Sequence, residues 1–419
     1  MGQSIFNSLG SNYSIKFVST SLYSILGSRK SDIQKLEKKI LFDYFGKYKL
    51  VSGKAEILTL HKGRDAIQAA CTVLLNKGDQ VITQAFSCYA VEEGILRAGM
   101  KPIYVDISQE STNLSVDNLD KVFKKNPQAK AVLIQHSLGI PADTVSIRNW
   151  CNDNGVLLFE DIAQSIGGFD KEGKQLGVSA DAVIFSFGRD KIIDAISGGA
   201  VVFRNSNPEI SEKISYLKSS VGKISFVYVY EDLIYPDITS FIRRTHHFIL
   251  GKVILKIVKS VGLLGSPIKS KTDDLTFMHP AYAKLSLLQF KGLEHQIKHR
   301  KEMALEYYKL LEESGLKFLA TKNQLNSASN LRFSIRCSDE KQVSKLVKAL
   351  KKNNIYVSDR WYRKAVDCGS FECKSTYQKA SCPNAELLAT QVINLPTHRE
   401  MNLKKVHRIC KVINKALGK

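Results

Sequence analysis

The residues best suited to chemistry in this chain are an aspartate and a lysine that follow separate runs of apolar residues. Asp161 comes soon after the run 156–159, and Lys191 comes soon after the run 182–185. A lysine in a buried cleft loses solvation, which lowers its pKa and makes its amine nucleophilic. A carboxylate at the end of a buried strand can hold a cationic ring nitrogen. Taken alone, each residue also fits an ordinary role, as a helix cap or a surface lysine.

Two glycine-containing segments could bring the backbone close to a ligand. One begins a helical pattern that runs to about Asn76 and contains Gly63, Arg64 and Asp65. The start of a helix binds anions through its free N–H groups and its dipole, although an ordinary cap is the alternative. The other segment, 197–199, is Ser-Gly-Gly, which permits close backbone approach or forms a plain turn.

The order of these features along the chain is informative. An anion site comes first, then the strand-end carboxylate Asp161, then Lys191. Pyridoxal 5'-phosphate (PLP) requires a phosphate cradle, an acidic partner for its pyridinium nitrogen and a lysine for the Schiff base. The chain therefore has candidates for all three requirements.

The elements that must position these residues alternate between strands and helices. The predicted strands are 80–83, 102–106, 131–135, 156–159, 182–185 and 199–203. Continuous apolar strands that alternate with helices predict a mostly parallel sheet covered on both faces. Ligands of such sheets bind beyond the carboxyl ends of the strands, where Asp161 and Lys191 are expected.

Outside this region the patterns are more varied. We predict a charged helix over 31–44, one long helix over 280–313, and a terminal α+β unit with strands at 331–335 and 354–357. The proposed division of the chain is an N-terminal arm (1–50), a PLP-binding large domain (51–204), a basic amphipathic insert (205–275), and the long helix with a small C-terminal domain (276–419).

The charge of the chain favours anionic partners. Lys and Arg number 61 against 40 Asp and Glu, giving a net charge of +21. This balance suits a nucleotide diphosphate. No helix-turn-helix, finger or RNP-type motif is present, so we expect no nucleic-acid binding. Residues 238–271 hold seven Lys or Arg and no Asp or Glu, in an amphipathic pattern. That pattern predicts either peripheral membrane contact or an apolar contact with a second subunit or domain.

The remaining composition indicates a cytoplasmic protein, in which any membrane contact would be at the inner face. The stretch 15–27 is too interrupted by polar residues for a signal peptide, and no run is long enough to span a bilayer. The eight cysteines include no CxxC pair, and the group Cys368, Cys373 and Cys382 has no nearby His. We therefore expect no metal site, and free thiols.

The motifs resemble those of the DegT/DnrJ/EryC1/StrS sugar aminotransferases, PLP-dependent enzymes of fold type I. The resemblance covers residues 55–205 well, and residues 276–320 and 380–398 more weakly. It implies an α/β fold like that of aspartate aminotransferase. In this fold a large domain with a mostly parallel sheet is followed by a small α+β C-terminal domain.

Two motifs carry most of the resemblance. Residues 160–164 resemble the family's E-D-A-A-Q, in which Asp161 would pair with the pyridine nitrogen and Gln164 would lie near the ring hydroxyl. The run from Ser186 to Lys191 resembles S-F-x-x-x-K, in which Ser186 would bind phosphate and Lys191 would form the Schiff base. The segment with Gly63, Arg64 and Asp65 resembles the phosphate-binding turn.

Other positions are assigned by the same resemblance. Residues 139–143 resemble a G-x-P-A-D loop preceded by His136, and we assign His136 and Arg189 to substrate binding. Where the family has an aromatic residue that stacks on the cofactor ring, this chain has Cys88, with Tyr89 adjacent. The family's N-x-R-M segment, donated by the partner subunit, corresponds to Leu-Thr-Phe-Met at 275–278.

The resemblance implies a homodimeric aminotransferase that acts on a keto-sugar, nucleotide-linked, in polysaccharide or glycoconjugate biosynthesis, with glutamate as amino donor. Two alternatives stay open. One is an inactive binding or regulatory protein of the same fold, which the departures at 275–278 favour. The other is a PLP-dependent sugar dehydratase, but in such relatives His replaces the lysine, whereas Lys191 is present here.

Overall fold

A computed structural model describes residues 3–46, 54–260, 262, 264, 274–357, 361–369 and 372–419 of the chain. Its strands are β1 Ile5–Phe6, β2 Lys54–Leu60, β3 Gln80–Gln84, β4 Lys101–Val105, β5 Ala131–Gln135, β6 Leu157–Asp161, β7 Ala182–Ser186, β8 Gly199–Ser206, β9 Gly222–Lys223, β10 Thr276–Phe277, β11 Lys317–Phe318, β12 Arg332–Arg336, β13 Ile355–Tyr356 and β14 Val392–Pro396.

The helices are α1 Ile15–Gly27, α2 Lys30–Lys38, α3 Gly63–Leu74, α4 Tyr89–Arg97, α5 Val116–Lys125, α6 Thr144–Asn154, α7 Pro208–Ser220, α8 Phe226–Thr245, α9 Ile249–Ser260, α10 Pro280–Phe290, α11 Leu293–Leu311, α12 Lys322–Ser327, α13 Glu340–Lys352, α14 Pro383–Gln391 and α15 Leu403–Leu417. A π-helical turn, Lys39–Tyr44, follows α2. In the parts of the chain that the structure describes, no helix is long and apolar enough to cross a membrane.

Within the described residues, nine strands form the main sheet in the order β4-β3-β5-β6-β7-β8-β2-β10-β9. The pairs from β4 through β7 are parallel, whereas β8 is antiparallel to both β7 and β2. A second sheet of three antiparallel strands, β11-β12-β14, belongs to the C-terminal part. The predicted fold class is confirmed: the chain is an α/β protein with a mostly parallel central sheet.

The continuous apolar runs are explained by burial of both sheet faces. On β5, Ala131 and Leu133 pack in a cluster with residues of α3, while Val132 and Ile134 pack on the other face with residues of α6. Successive side chains of a strand point to opposite faces, so a strand covered on both sides must be apolar at every position. The two layers fix the sheet and hold its carboxyl edge in place.

Two of the predicted helices differ from the structure. The charged helix predicted over 31–44 is α2 followed by the π-helical turn Lys39–Tyr44. The helix predicted over 280–313 is two helices, α10 and α11, that are separated at Lys291 and Gly292. Glycine has a low helix propensity, which accounts for a break at this point. The stretch 15–27 forms α1, which begins at the Ser14 cap and buries Phe17. Its many polar residues conceal the helical pattern.

The expectation of free thiols is wrong at two positions. Cys368 and Cys373 are joined in a disulfide, with their Cα atoms 6.0 Å apart, while the other six cysteines are free. The proposed division into segments remains a prediction. Strand β8 extends to Ser206, and β10 returns the chain to the main sheet at Thr276.

The start of α3 lies directly against the start of β8. A Cβ added at Gly199 would lie 2.4 Å from the carbonyl oxygen of Lys62 and 2.7 Å from the backbone nitrogen of Gly63. The Gly198 N–H and the Ser197 hydroxyl also donate hydrogen bonds to the carbonyl oxygen of His61, at 2.7 and 2.9 Å. The Ser-Gly-Gly segment is therefore used for close backbone approach.

Replacing Gly199 with Ala should destabilise the protein, because the new methyl group meets backbone atoms that cannot rotate away. We expect a loss of about 1–3 kcal/mol, the usual cost of overpacking, measured as a lower midpoint of urea unfolding. Gly46→Ala is the matched control, since no atom lies within 4 Å of a Cβ placed there. Equal midpoints for the two variants would contradict the close contact.

Candidate active site at the carboxyl edge of the sheet

Lys191 lies in the loop between β7 and β8, and a buried carboxylate holds that loop. Asp194 is fully buried and accepts hydrogen bonds from the N–H of Asp190 at 2.8 Å and the N–H of Ile196 at 3.1 Å. The Tyr13 hydroxyl donates to the same carboxylate at 2.9 Å, and Asn12 donates to the carbonyl oxygen of Lys191 at 3.1 Å. The N-terminal segment therefore fixes the backbone of Lys191.

The amine of Lys191 lies near an aromatic ring and within the field of the Asp161 carboxylate. Its Nζ is 4.9 Å from the centroid of the Trp361 ring. Burial lowers the pKa of Lys191, and the neighbouring Asp161 partly opposes this effect. A larger fraction of the amine is therefore neutral than in a surface lysine, which suits it for nucleophilic attack on a carbonyl carbon.

Asp161 is the last residue of β6 and faces the same pocket. One of its oxygens accepts a hydrogen bond from the N–H of Ala163 at 2.9 Å. Burial raises the pKa of Asp161, while this hydrogen bond and the charges of Lys191 and His136 lower it. A ligand with a cationic ring nitrogen at this carboxylate would favour its ionised form.

The backbone at the start of α3 and the hydroxyl of Ser186 form a small cradle. A Cβ added at Gly63 would lie 2.9 Å from the Ser186 Oγ. Among the described residues, no hydrogen-bond partner occurs for this hydroxyl. The first N–H groups of a helix have no partner within the helix, so hydroxyl and amides together can bind a phosphate.

The side chains of Arg64 and Asp65 do not point into this cradle. Arg64 forms an ion pair with Glu93 of α4. Asp65 accepts a hydrogen bond from the N–H of Lys62 at 3.1 Å and lies 3.9 Å from Arg97. Burial raises the pKa of Asp65 to about 6. The side chains of Arg64 and Asp65 thus connect α3 to α4. The backbone N–H groups of these residues, rather than their side chains, could bind an anion.

Cys88 and Tyr89 face different surroundings. Cys88 caps α4, accepting a hydrogen bond from the N–H of Ala90 at 3.5 Å. Burial raises the pKa of its thiol, and the charge of Lys191 lowers it. For Tyr89, burial and then the charges of Glu93 and Glu92 raise the pKa. Cys88 is therefore the one of the two that lies towards Lys191.

His136 is held by two neighbours at the end of β5. Its Nδ1 accepts a hydrogen bond from the N–H of Ala142 at 2.9 Å, so its Nε2 carries the proton and donates to Glu160 at 2.9 Å. Both ring nitrogens are thus engaged in holding the loop after β5. The assignment of His136 to substrate binding stays a prediction.

Arg189 points towards α8 and away from the sheet edge. Its guanidinium forms an ion pair with Asp232 at 3.1 Å and lies 3.8 Å from the centroid of the Tyr235 ring. The structure therefore does not bring Arg189 together with Lys191, Asp161 and Ser186 in one cluster.

Two aromatic residues of the C-terminal part enter the site without any signal in the sequence. Gln164 donates a hydrogen bond to the Tyr362 hydroxyl and accepts one from the N–H of Leu138 at 2.7 Å. The Tyr362 ring packs edge-on against Phe86, with centroids 5.2 Å apart. Trp361 precedes it and lies against Lys191. Only the return of the C-terminal part to the sheet edge brings them there.

Comparison with known proteins gives matches over most of the chain. The model of the DegT/DnrJ/EryC1/StrS aminotransferase family matches residues 33–225 and 276–414. GDP-perosamine synthase of Vibrio cholerae is 35% identical over 153 residues, which cover 36% of this chain and 40% of that protein. The chain thus aligns with less than half the length of this relative.

Two further matches cover more of the chain. The pleiotropic regulatory protein of Geobacillus stearothermophilus is 23% identical over 342 residues, 81% of this chain and 79% of the relative. The solved structure of NtdA from Bacillus subtilis, with bound PMP, has a TM-score of 0.73 at 19% identity and covers 100% of this chain and 86% of that one. The structural likeness establishes the fold, and the match to the family model shows that this chain belongs to the DegT/DnrJ/EryC1/StrS aminotransferase family.

Proposed function

We propose that the protein is a PLP-dependent aminotransferase that acts on a keto-sugar, nucleotide-linked, in polysaccharide or glycoconjugate biosynthesis. The observation that carries this proposal is the convergence of Lys191, Asp161 and the Ser186 cradle at one edge of the sheet, in a chain of this family. The amino group of the donor, which we take to be glutamate, replaces the keto oxygen of the sugar, and the donor leaves as a 2-oxo acid.

The residues present fit the cofactor. The backbone of α3 with Ser186 would hold its phosphate, and Asp161 would hold its ring nitrogen. When bound, pyridoxal phosphate supplies an aldehyde that exchanges amines and a ring that accepts electrons. Gln164 is already engaged by Leu138 and Tyr362, so it orients the wall of the pocket near the ring.

Lys191 has two tasks in this proposal. Its neutral amine would hold the cofactor through the aldehyde of the cofactor, until the amine of the donor takes its place. The freed amine then accepts a proton from one carbon of the bound substrate and returns it to another, as a general base and acid. Burial of Lys191, which lowers its pKa, favours the base form at neutral pH.

The alternatives make different predictions for the same protein. A regulatory protein of this fold, as suggested by the name of the Geobacillus relative, would not aminate a keto-sugar in the presence of glutamate. A dehydratase would release water and leave the substrate without nitrogen. Retention of Lys191 together with Asp161 supports the aminotransferase. Mass analysis of a panel of nucleotide-linked keto-sugars incubated with glutamate separates the three.

Lys191→Ala should abolish attachment of the cofactor, because Lys191 supplies the amine beside Asp161. Purified protein incubated with PLP is expected to be yellow, and borohydride reduction should leave a pyridoxyl group on the peptide that contains Lys191. The variant should lose both signals and all detectable amination. Arg189→Ala is a control for a charge in the same loop; it should retain the adduct. A chromophore that is the same in wild type and Lys191→Ala would refute the assignment.

Asp161→Asn should stabilise the protein without cofactor while weakening cofactor binding. Burial raises the pKa of Asp161, so between its unfolded and folded pKa values the native state binds more protons and stability falls as pH rises. The amide carries no charge and escapes this loss. The melting temperature of the cofactor-free variant should therefore exceed that of wild type by more at pH 7 than at pH 4, which is close to the unfolded pKa of an aspartate. A constant or reversed difference would contradict the burial of an ionised carboxylate.

We also propose a homodimer, for which the family resemblance is the support, and contact with a membrane surface, for which the insert is the support. The family model leaves residues 226–275 unmatched. Large apolar side chains are exposed on α9 and just before it, including Ile249 at 81% and Phe248 at 60%. Exposed apolar side chains that are grouped in this way favour an interaction site.

The charges of this surface favour an anionic lipid headgroup. Leu250, Val253 and Ile257 are exposed apolar residues of α9, and Lys252, Lys256 and Lys259 are exposed beside them. Residues 238–260 contain no Asp or Glu. A symmetric contact between two copies of this surface would bring two lysine-rich segments near each other, and like charges repel. Anionic lipid instead attracts them, by about 1 kcal/mol each near the surface.

Reversal of the three lysine charges to Glu should reduce binding to anionic vesicles severalfold, measured by flotation with phosphatidylcholine vesicles with and without phosphatidylserine. Ile257→Glu should also weaken binding, because the apolar face then carries a charge. Leu387→Glu on α14, also exposed, is the matched control and should bind like wild type. Absence of binding to both vesicle types rejects the membrane contact and leaves a protein partner for this surface.

A further inference from the structure

The loop that carries Lys191 is joined to α8 by a buried ion pair. Arg189 lies two residues before Lys191, and its guanidinium donates a hydrogen bond to the Asp232 carboxylate at 3.1 Å. The side chains of Arg189 and Asp232 are only 11% and 2% exposed. Breaking such a shielded pair is costly, because each charge loses its counter-charge where little water replaces it. The pair therefore opposes movement of the loop relative to α8.

Two tyrosines hold the two ends of this ion pair. The second oxygen of Asp232 accepts a hydrogen bond from the hydroxyl of Tyr282 on α10, at 3.0 Å. The central carbon of the Arg189 guanidinium lies 3.8 Å from the centroid of the Tyr235 ring, which is also on α8. Both tyrosines are buried. A planar guanidinium that lies over a ring and is paired with a carboxylate has little freedom to rotate.

Helix α8 also holds the N-terminal segment in place. Near the end of this helix, Arg243 donates a hydrogen bond to the carbonyl oxygen of Leu9 at 2.7 Å. A Cβ added at Gly10 would lie 2.5 Å from the Thr239 Oγ1. The N-terminal segment and α8 are therefore in close contact, and a shift of α8 would move both the segment and the ion pair.

The Lys191 loop is thus fastened to α8 in two ways. The direct link is the pair of Arg189 and Asp232. The indirect link runs through Asn12 and Tyr13, which donate to the carbonyl oxygen of Lys191 and to the buried carboxylate that holds its loop. The first 32 residues and α8 both lie outside the part of the chain that the family model matches. Two segments beyond the family match therefore position the lysine.

The backbone between the ion pair and Lys191 has an unfavourable conformation. Asp190 has a φ of 65°, in the left-handed region that residues other than glycine rarely adopt. Such a conformation persists where surrounding contacts impose it. Here those contacts are the side chain of Arg189 and the hydrogen bond from the N–H of Asp190 to Asp194, at 2.8 Å. Release of Arg189 would let Asp190 relax and would turn the following lysine away from its present direction.

We propose that Asp232 is a positioning residue, which acts through Arg189 to hold the amine of Lys191 in the direction that proton transfer requires. This inference rests on the proposed function. A displacement of about 1 Å at a reacting group can slow a reaction about 100-fold, so an ion pair outside the site can set its rate. Arg189 thereby receives a role other than the substrate binding that the resemblance assigned to it.

Asp232→Asn tests the link, because it removes the charge of the acceptor with little change of shape. In the amination of a keto-sugar, kcat should fall about 10- to 100-fold while KM for glutamate changes less than about threefold, since only the chemical step is affected. In the cofactor-free protein, hydrogen exchange of the peptide that contains Lys191 should be about 10-fold faster. Arg148→Gln is the matched control. It breaks a 2.8 Å ion pair with Asp181 at the opposite end of β7, and it should leave both readouts as in wild type.

A double variant separates positioning from general stability. Arg189→Met combined with Asp232→Leu removes both buried charges together, so the midpoint of urea unfolding should return towards that of wild type. The kcat and the exchange of the Lys191 peptide should stay impaired, because the link is still absent. If Asp232→Asn does not fold, Asp232→Glu keeps the charge but displaces it by one methylene, and it should show the same changes at a smaller size.

Three outcomes would overturn the inference. The first is equal hydrogen exchange of the Lys191 peptide in wild type and Asp232→Asn. The second is a fall in kcat for Arg148→Gln as large as that for Asp232→Asn, which would reflect general destabilisation. The third is full recovery of kcat in the double variant. If wild type aminates no sugar, the proposed function fails, whereas hydrogen exchange of the cofactor-free protein still reports on the link.

Discussion

The geometry of the site depends on the fully buried carboxylate of Asp194. Burial raises the pKa of this group, and four hydrogen-bond donors favour its ionised form: two backbone N–H groups, the Tyr13 hydroxyl and the Asn12 amide. An aspartate that is removed from water persists only where such donors replace its hydration. Two of these donors, the N–H groups of Asp190 and Ile196, belong to the loop that carries Lys191. A shift of the loop backbone would therefore break hydrogen bonds to the buried carboxylate. The N-terminal segment is thereby part of the active site, although it carries no catalytic group.

The C-terminal part closes the site through contacts of a different kind. Asn394 on β14 accepts a hydrogen bond from the N–H of Trp361 at 2.7 Å and itself donates to Ser334 on β12. The small sheet therefore fixes the backbone of Trp361, and with it the ring that borders Lys191. A change of register between β12 and β14 would therefore move Trp361. The main sheet carries Asp161, Ser186 and Lys191, and the small sheet positions the aromatic ring beside Lys191.

The sequence predicted the parts of the site that depend on local order. Asp161 and Ser186 end buried strands, and buried parallel strands are recognisable as short apolar runs, so their place at one edge followed from pattern alone. The hydrogen bond from Asn12 to the carbonyl oxygen of Lys191 and the contact of Gln164 with Tyr362 could not be predicted in this way. Each depends on a contact between segments that are far apart in the chain. The local sequence around these residues has no feature that distinguishes it from that of other segments. The misjudged helix at 280–313 has the same origin, since periodicity continues across Gly292 while the backbone does not.

The register of β6 and β7 explains how one cofactor could contact both Asp161 and Ser186. Strands β6 and β7 are parallel neighbours, and Asp161 pairs in register with Ile184. Ser186 therefore lies one strand across and two residues further along, at separations of about 4.8 Å and 3.3 Å per residue. Asp161 would hold the cationic nitrogen of a cofactor at this edge of the sheet, and Ser186 would hold its phosphate. Lys191 follows Ser186 on the loop after β7, so its amine also belongs to this edge. The parallel register of β6 and β7, rather than any single residue, brings these groups together.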